Sequence, residues 1–249
     1  MSQNQSEPQK INPIRETSPE AIRLAKTLIR TATFGALAVL DPATGFPLAS
    51  RVAVATDSGG APVILISSLS AHSKALQADN RCSLLLGEPG KGDPVAHPRV
   101  TVICKAHWLD VSDPETSDIR GRYLRRQPKA SLYADFGDFA FVRLQPVGAN
   151  LNGGFGKAFV LIADDLITSQ RANHDEKTFI KKINHDHSPL VAAIGKRAYP
   201  AEKARWCVVG LDNEGLDLMA GESSIRLWFD DTDIEKNSLI KQIQWLSTR

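Results

Sequence analysis

Apolar residues recur along this chain at two different periods, and the alternation between the two lays out its elements. Ser18-Pro19-Glu20 combines a capping residue, a proline suited to a first helical turn and an early acid. Ile22, Leu24, Ala25, Leu28 and Ile29 then fall along one face, which predicts a helix. Strand-like runs follow at Phe34–Asp41, Leu48–Thr56, Pro62–Ser67, Cys82–Leu86, Arg99–Leu109 and Asp138–Leu144. Asp57-Ser58-Gly59-Gly60 is a strong hairpin turn between the second and third runs, and Ser70 to Asp79 reads as a short helix after the third. Six strands with few helices between them predict an antiparallel barrel. Ser112-Asp113-Pro114-Glu115 starts a further helix that carries Arg120, Tyr123, Leu124, Arg125 and Arg126 and stops at Pro128; a short helix with Leu132 and Tyr133 follows.

The pattern changes after Ala163. Composition turns polar up to Asn173, which sets a boundary between a barrel domain at residues 15–165 and a second domain at 172–249, with 1–14 a polar tail. The second domain reads as two helices (Asp175–His187, then Ser188–Ala198 capped by Ser188-Pro189), three strands (Arg205–Leu211, Gly215–Ala220, Ser224–Phe229) and a closing helix at Thr232–Leu246. The expected class is mainly β with α+β: a barrel plus a small C-terminal α+β domain.

Composition adds exclusions. With 42% hydrophobic and 23% charged residues the chain can bury a sizeable core, and a net charge of +2 with scattered Lys and Arg gives no stripe for nucleic acid. No window is long and apolar enough for a membrane span, and the first residues lack a signal-peptide core, so a cytoplasmic protein is expected. Cys82, Cys104 and Cys207 each lie in an apolar run without a CxxC pattern and read as buried thiols. His185 and His187 lie two apart and project to different sides of a helix, so no metal is expected there; Asn184, His185 and Asp186 read as hydrogen-bonding groups that tie down the interhelical turn and pack it onto the neighbouring domain. There is no GxSxG, HExxH, Walker or dinucleotide-binding pattern, which suits a protein whose chemistry is supplied by a cofactor.

Candidate chemistry concentrates between Ser50 and Leu86. Arg51 lies on one strand; two strands on, Ser67, Ser68 and Ser70 lead into a helix opened by His72, Ser73 and Lys74. Cations, hydroxyls and a helix N-terminus in one neighbourhood suit a phosphate monoester. For His72 two readings stand, a ligand contact or a capping role. Gly153-Gly154-Phe155-Gly156 cannot be regular helix or central strand; either a flat ligand approaches its backbone or the barrel edge bulges there.

Arg51 followed by SSLSAHSKALQADNR, then YLRRQP, YADFGDFAFVRL and GGFG, resembles the haem-utilisation (HugZ-type) branch of the pyridoxamine 5'-phosphate oxidase-like split barrels. The C-terminal part, with Ile183-Asn184-His185-Asp186-His187, is similar to the small domain that often follows them. The resemblance implies an FMN-binding type of split β-barrel paired into homodimers, with FMN, haem or both held at the interface as small-molecule ligands. It places the FMN phosphate at Arg51, Ser67, Ser68, Ser70, His72, Ser73 and Lys74, and the ring system or haem beside Gly154, Phe155 and Gly156. It implies an oxidoreductase-like protein of the haem-utilisation type, or alternatively a non-catalytic haem- or flavin-binding protein that regulates a tetrapyrrole pathway. Thr56 stands where the oxidases keep a lysine, and no oxidase-type pyridoxal-phosphate binding run follows the barrel, so vitamin B6 chemistry is not expected. The family's haem-ligating histidine after the barrel has no counterpart in the final residues, leaving His174, His185 and His187 as candidates.

Overall fold

The computed structural model describes residues 14–154, 156–168, 176–200 and 203–229. The expected closing helix (232–246), His174 and Phe155 lie outside them. The strands are β1 (Ile14–Arg15), β2 (Phe34–Leu40), β3 (Pro47–Thr56), β4 (Pro62–Ser67), β5 (Arg81–Leu86), β6 (Arg99–Trp108), β7 (Phe139–Asn152), β8 (Ala158–Ile162), β9 (Cys207–Asp212), β10 (Gly215–Ala220) and β11 (Ser223–Trp228). The helices are α1 (Pro19–Thr31), α2 (Ala71–Ala78), α3 (Pro114–Arg126), α4 (Ala163–Leu166), α5 (Glu176–Asp186) and α6 (Ser188–Ala198).

Strands β7, β4, β3, β2, β5 and β6 form one antiparallel circuit, which the β6–β7 ladder closes into a barrel; β8 and the parallel β1 extend it beyond β7. The inward positions Leu37, Val39, Val52, Val54, Leu84, Val100, Val102 and Leu144 fill the interior, and α1 packs Ala25 and Ile29 against the same cluster. Alternating burial along β2, β5 and β6 is the period-two signature of a sheet with one face on the core. Ser18 caps α1 by accepting from the Ala21 amide, as its sequence position predicts.

Strand β3 changes partner in mid-course. Pro47 to Ala53 pairs with β2, whereas Val54 to Thr56 pairs with β4. Beyond Ile64, strand β4 pairs with β7 alone. This divergence is the split in the barrel.

Strand β9, β10 and β11 make a separate three-stranded sheet, covered by α5 and α6 around Ile180, Ile183, Val191, Ile194 and Trp206. The sheet docks onto α1 and α3 through buried charge. Asp212 accepts from both Arg226 guanidinium nitrogens (2.6 and 2.8 Å) and pairs with Arg30 of α1 at 2.8 Å. Asp217 accepts from Arg226 (3.0 Å) and from Arg122 of α3 (3.1 Å). Burial alone would raise the Asp212 carboxyl, but Arg30, Arg226 and Arg122 reverse this and hold it well below the usual carboxylate range.

Several details differ from the sequence reading. Strand β7 runs on to Asn152, eight residues beyond the expected Leu144, and the short α4 was not anticipated. Helix α6 is preceded by His187 as its N-cap, without a side-chain cap bond, so Ser188 is already helical rather than the cap. Cys207 is half-buried, whereas Cys82 and Cys104 are buried and sit directly opposite each other on β5 and β6. Asn184 ties α5 to β9 of its own sheet, donating to the Val208 carbonyl and accepting from the Val208 amide, both at 2.8 Å, instead of anchoring the turn to the barrel.

Replacing Asp212 by Asn leaves Arg30 and Arg226 short of a buried counter-charge. The expected loss is about 3–5 kcal/mol, read as a lower urea midpoint. Because the folded carboxyl titrates below its unfolded value of about 4, its contribution is complete above that pH and declines as pH falls further. In Asp212→Asn this part of the acid dependence disappears.

Candidate functional site

Arg51 is exposed on the outer face of the barrel, directly across from Ala36 on β2. Its guanidinium carbon lies 5.4 Å from the centre of the Phe34 ring, a cation–π stack. The two side chains line a cleft of about 350 Å³ with Ala36, Ala49, Leu85 and Glu88. Register explains why these residues converge: Ala36 pairs with Arg51 on one side and Leu85 on the other, while Phe34 pairs with Ala53. Phe34 and Leu85 remain 41% and 43% exposed, so the floor is an uncovered apolar sheet face. A second chamber of about 290 Å³ shares Phe34, Gly87 and Glu88 and reaches the C-terminal unit at Tyr199, Glu222 and Ser224. The joined clefts thus have an apolar, cationic end at Arg51 and a polar, acidic end at Glu222.

The serine loop lies elsewhere and is largely engaged with itself. Ser67 Oγ donates to Asp138 Oδ2 at 2.6 Å and accepts from the Leu69 amide. Ser73 is fully buried and donates to the Ser67 carbonyl at 2.7 Å. Ser70 caps α2, its Oγ accepting from the Ser73 amide and lying 2.8 Å from Ser73 Oγ. Ser68 and Lys74 are exposed, and His72 is half-buried, its imidazolium disfavoured by burial. No residue from Ser67 to Lys74 lines the Arg51 cleft. The β3–β4 register, continued from Val54 opposite Ile64, would set Arg51 opposite Ser67, but the strands part before that point.

The glycine stretch forms the hairpin turn between β7 and β8. Gly153 N donates to Lys157 O and Lys157 N to Gly154 O, with Gly154 at φ 106° and Gly156 at φ 68°, in the left-handed region glycine favours. A Cβ on Gly154 would meet the Ala96 carbonyl at 3.1 Å, so the turn packs on the loop before β6 and lines neither chamber. The β7–β8 ladder that this turn joins keeps a regular register without a bulge, and Phe155 lies outside the described residues. The His185 side chain is 86% exposed and its Nδ1 lies 2.7 Å from Asp186 Oδ1.

Sequence reasoning missed Phe34, Leu85, Glu88 and Tyr199. One signal was available: FGALAVL is apolar at outward as well as inward positions, which a strand facing water on one side would not be.

A profile of the family described as "CREG, beta-barrel" matches residues 16–166. The chain belongs to the CREG beta-barrel family. The split-barrel relationship read from the sequence is therefore correct. The whole chain is similar to protein Atu2129 of Agrobacterium tumefaciens strain C58, whose function is described as unknown: 27% identity, TM-score 0.80, covering 92% of this CREG-type chain and 95% of that one. It is also similar to the heme binding protein from Mycobacterium smegmatis, with 26% identity, a TM-score of 0.56 and coverage of 94% and 98%. Over 116 residues it is 34% identical to the non-canonical heme oxygenase HOZ, chloroplastic, of Arabidopsis thaliana; the match spans 47% of this chain and 35% of that relative. Among the described residues, no helix is long and apolar enough to cross a membrane.

Ser70→Ala removes the α2 cap and is expected to cost about 1 kcal/mol in urea unfolding.

Proposed function

We propose that this CREG-type barrel binds haem in the joined clefts, with Arg51 at the haem carboxylates and Phe34 and Leu85 against the macrocycle. The observation that carries this reading is a cation stacked on an aromatic ring over an exposed apolar sheet face. A flat, mostly apolar ring with anionic substituents is the chemistry such a surface complements. The similarity to the Mycobacterium smegmatis heme binding protein and to the Arabidopsis heme oxygenase supports it.

Haem also needs an iron donor, usually His, Cys, Met or Tyr. Of these types, Tyr199 alone is among the described residues lining the two chambers, so its phenol is the proposed ligand. Bound haem would supply the redox centre for an oxidoreductase activity. The protein's own part is to neutralise the carboxylates through Arg51, to keep water off the ring at Phe34 and Leu85, and to hold the Tyr199 oxygen towards the metal.

Half of the proposed site is open. Outward positions of adjacent strands give a continuous surface of Phe34, Ala36, Ala49, Leu85 and Ile103. A second copy of the chain is the proposed cover, which places two ligands at a homodimer interface.

FMN is the second reading. Arg51 is a hydrogen-bond donor to an anion in either case, to the haem carboxylates in the first reading and to the FMN phosphate in the second, and Ser68 and Lys74 are exposed.

Absorbance titration tests these readings. Haemin should give a Soret band that saturates; Arg51→Ala should weaken binding by about 1.5–3 kcal/mol, or roughly ten- to a hundredfold. Tyr199→Phe should shift the band and leave any flavin response intact. A saturable flavin spectrum with no haemin response would replace the first reading by the second. For the interface, Leu85→Arg is expected to convert a dimer to a monomer in sedimentation velocity; a monomeric wild type would reject the interface.

A further inference from the structure

Among the described residues, the layer between the barrel and the C-terminal sheet contains more positive than negative charge. Its cations are Lys26, Arg30, Arg122, Arg125, Arg126 and Arg226, and its carboxylates are Glu176, Asp212, Glu214 and Asp217. Lys26 pairs with Glu214; Arg125 and Arg122 share Glu176; Arg30, Arg122 and Arg226 divide the two aspartates among them. Arg126 has no ion pair among the described residues, yet it is only 5% exposed. Its Nε donates to the Ala32 carbonyl at 3.2 Å and its Nη2 to Ser224 Oγ at 2.8 Å, and its buried Nη1 has no hydrogen-bond partner among the described residues. A buried guanidinium without a counter-charge costs several kcal/mol, so the orphaned nitrogen calls for an acceptor.

A small pocket adjoins it. It is a partly open pocket of about 10 Å³ lined by Thr56, Arg122, Arg126, Gly210 and Asp217, room for one small guest. Gly210 is required here, because a Cβ would lie 2.6 Å from Asp217 Oδ2 and 2.7 Å from Arg122 Nη2. Both Asp217 oxygens already accept from arginines, Oδ2 from Arg122 and Oδ1 from Arg226.

We infer that this pocket binds a small monovalent anion of halide size, held by Arg126 Nη1 between the barrel and the C-terminal unit. Water would satisfy one N–H but would leave the charge surplus in place; a halide answers both. Burial, and then the neighbouring Arg122 and Arg30 against the opposing pull of Asp217, leave the Arg126 guanidinium pushed down to about 10. An anion at Nη1 opposes that depression. The site also backs onto the cleft, because Ala32 and Ser224, which accept from Arg126, line the Tyr199 chamber. The proposal does not depend on what the cleft binds.

The test is a crystal structure of the full chain grown with bromide at about 0.15 M, an ordinary physiological ionic strength. Anomalous bromine density within hydrogen-bonding reach of Arg126 Nη1 is the expected result. Alongside it, the melting midpoint should be about 3 °C higher in sodium chloride than in sodium gluconate at equal ionic strength, and Arg126→Met should abolish that difference. A water-sized peak without anomalous signal at this position overturns the proposal. So does a chloride effect on melting with no bromine there, since the anion then acts elsewhere. If Arg126→Met does not fold, the wild-type bromine map decides alone.

Discussion

The arrangement of the two units rests on the carboxylate of Asp212. It is almost wholly buried, yet three arginines from three different elements surround it: Arg30 on α1, Arg122 on α3 and Arg226 on β11. A buried ion pair is a weak source of net stability compared with apolar packing, but it is demanding about geometry, since each misplaced partner leaves an uncompensated charge. The C-terminal sheet can therefore dock in one register. Trp228 reinforces it: its ring lies between the Arg23 and Arg226 guanidiniums (5.2 and 4.8 Å), and its indole N–H donates to Thr27 Oγ1 at 3.1 Å. The same docking forms the second chamber, because Tyr199 and Glu222 of the C-terminal unit face Leu28 and Phe34 of the barrel.

Much of the fold was legible because its signals are local. Period-two alternation, the Asp57–Gly60 turn and the Ser18 cap each act over a few residues, and each appears where the chain predicts. The end of β7 was not legible. Pro146 and Gly148 read as breakers, but Pro146 falls beside the register shift in the β6–β7 ladder, where a missing N–H is tolerated, and Gly148 admits the Leu161 carbonyl to 2.9 Å from its would-be Cβ. Nothing nearby in sequence announces either compensation.

For the site the same division holds. Arg51 could be singled out as a cation on a strand, but its neighbours Phe34 and Leu85 come from other strands and become neighbours only through register. The serines were read as anion donors because a hydroxyl-rich loop before a helix looks the same whether it binds a ligand or closes on itself; the contacts of Ser67, Ser70 and Ser73 show how far it closes on itself. Arg122 gave no sign at all. Its partners Glu176 and Asp217 lie 54 and 95 residues away, beyond any window in which charge patterning can be read.

The change of partner along β3 has one more consequence. From Pro47 to Ala53 the strand is laddered to β2 alone, so the segment that carries Arg51 is an edge within a barrel that is closed elsewhere. Its inward side chains still hold it to the interior through Val52, while its outer margin has no strand partner among the described residues. Edges of this kind are where a further strand can add through backbone hydrogen bonds, and this one lies beside the cation of the cleft.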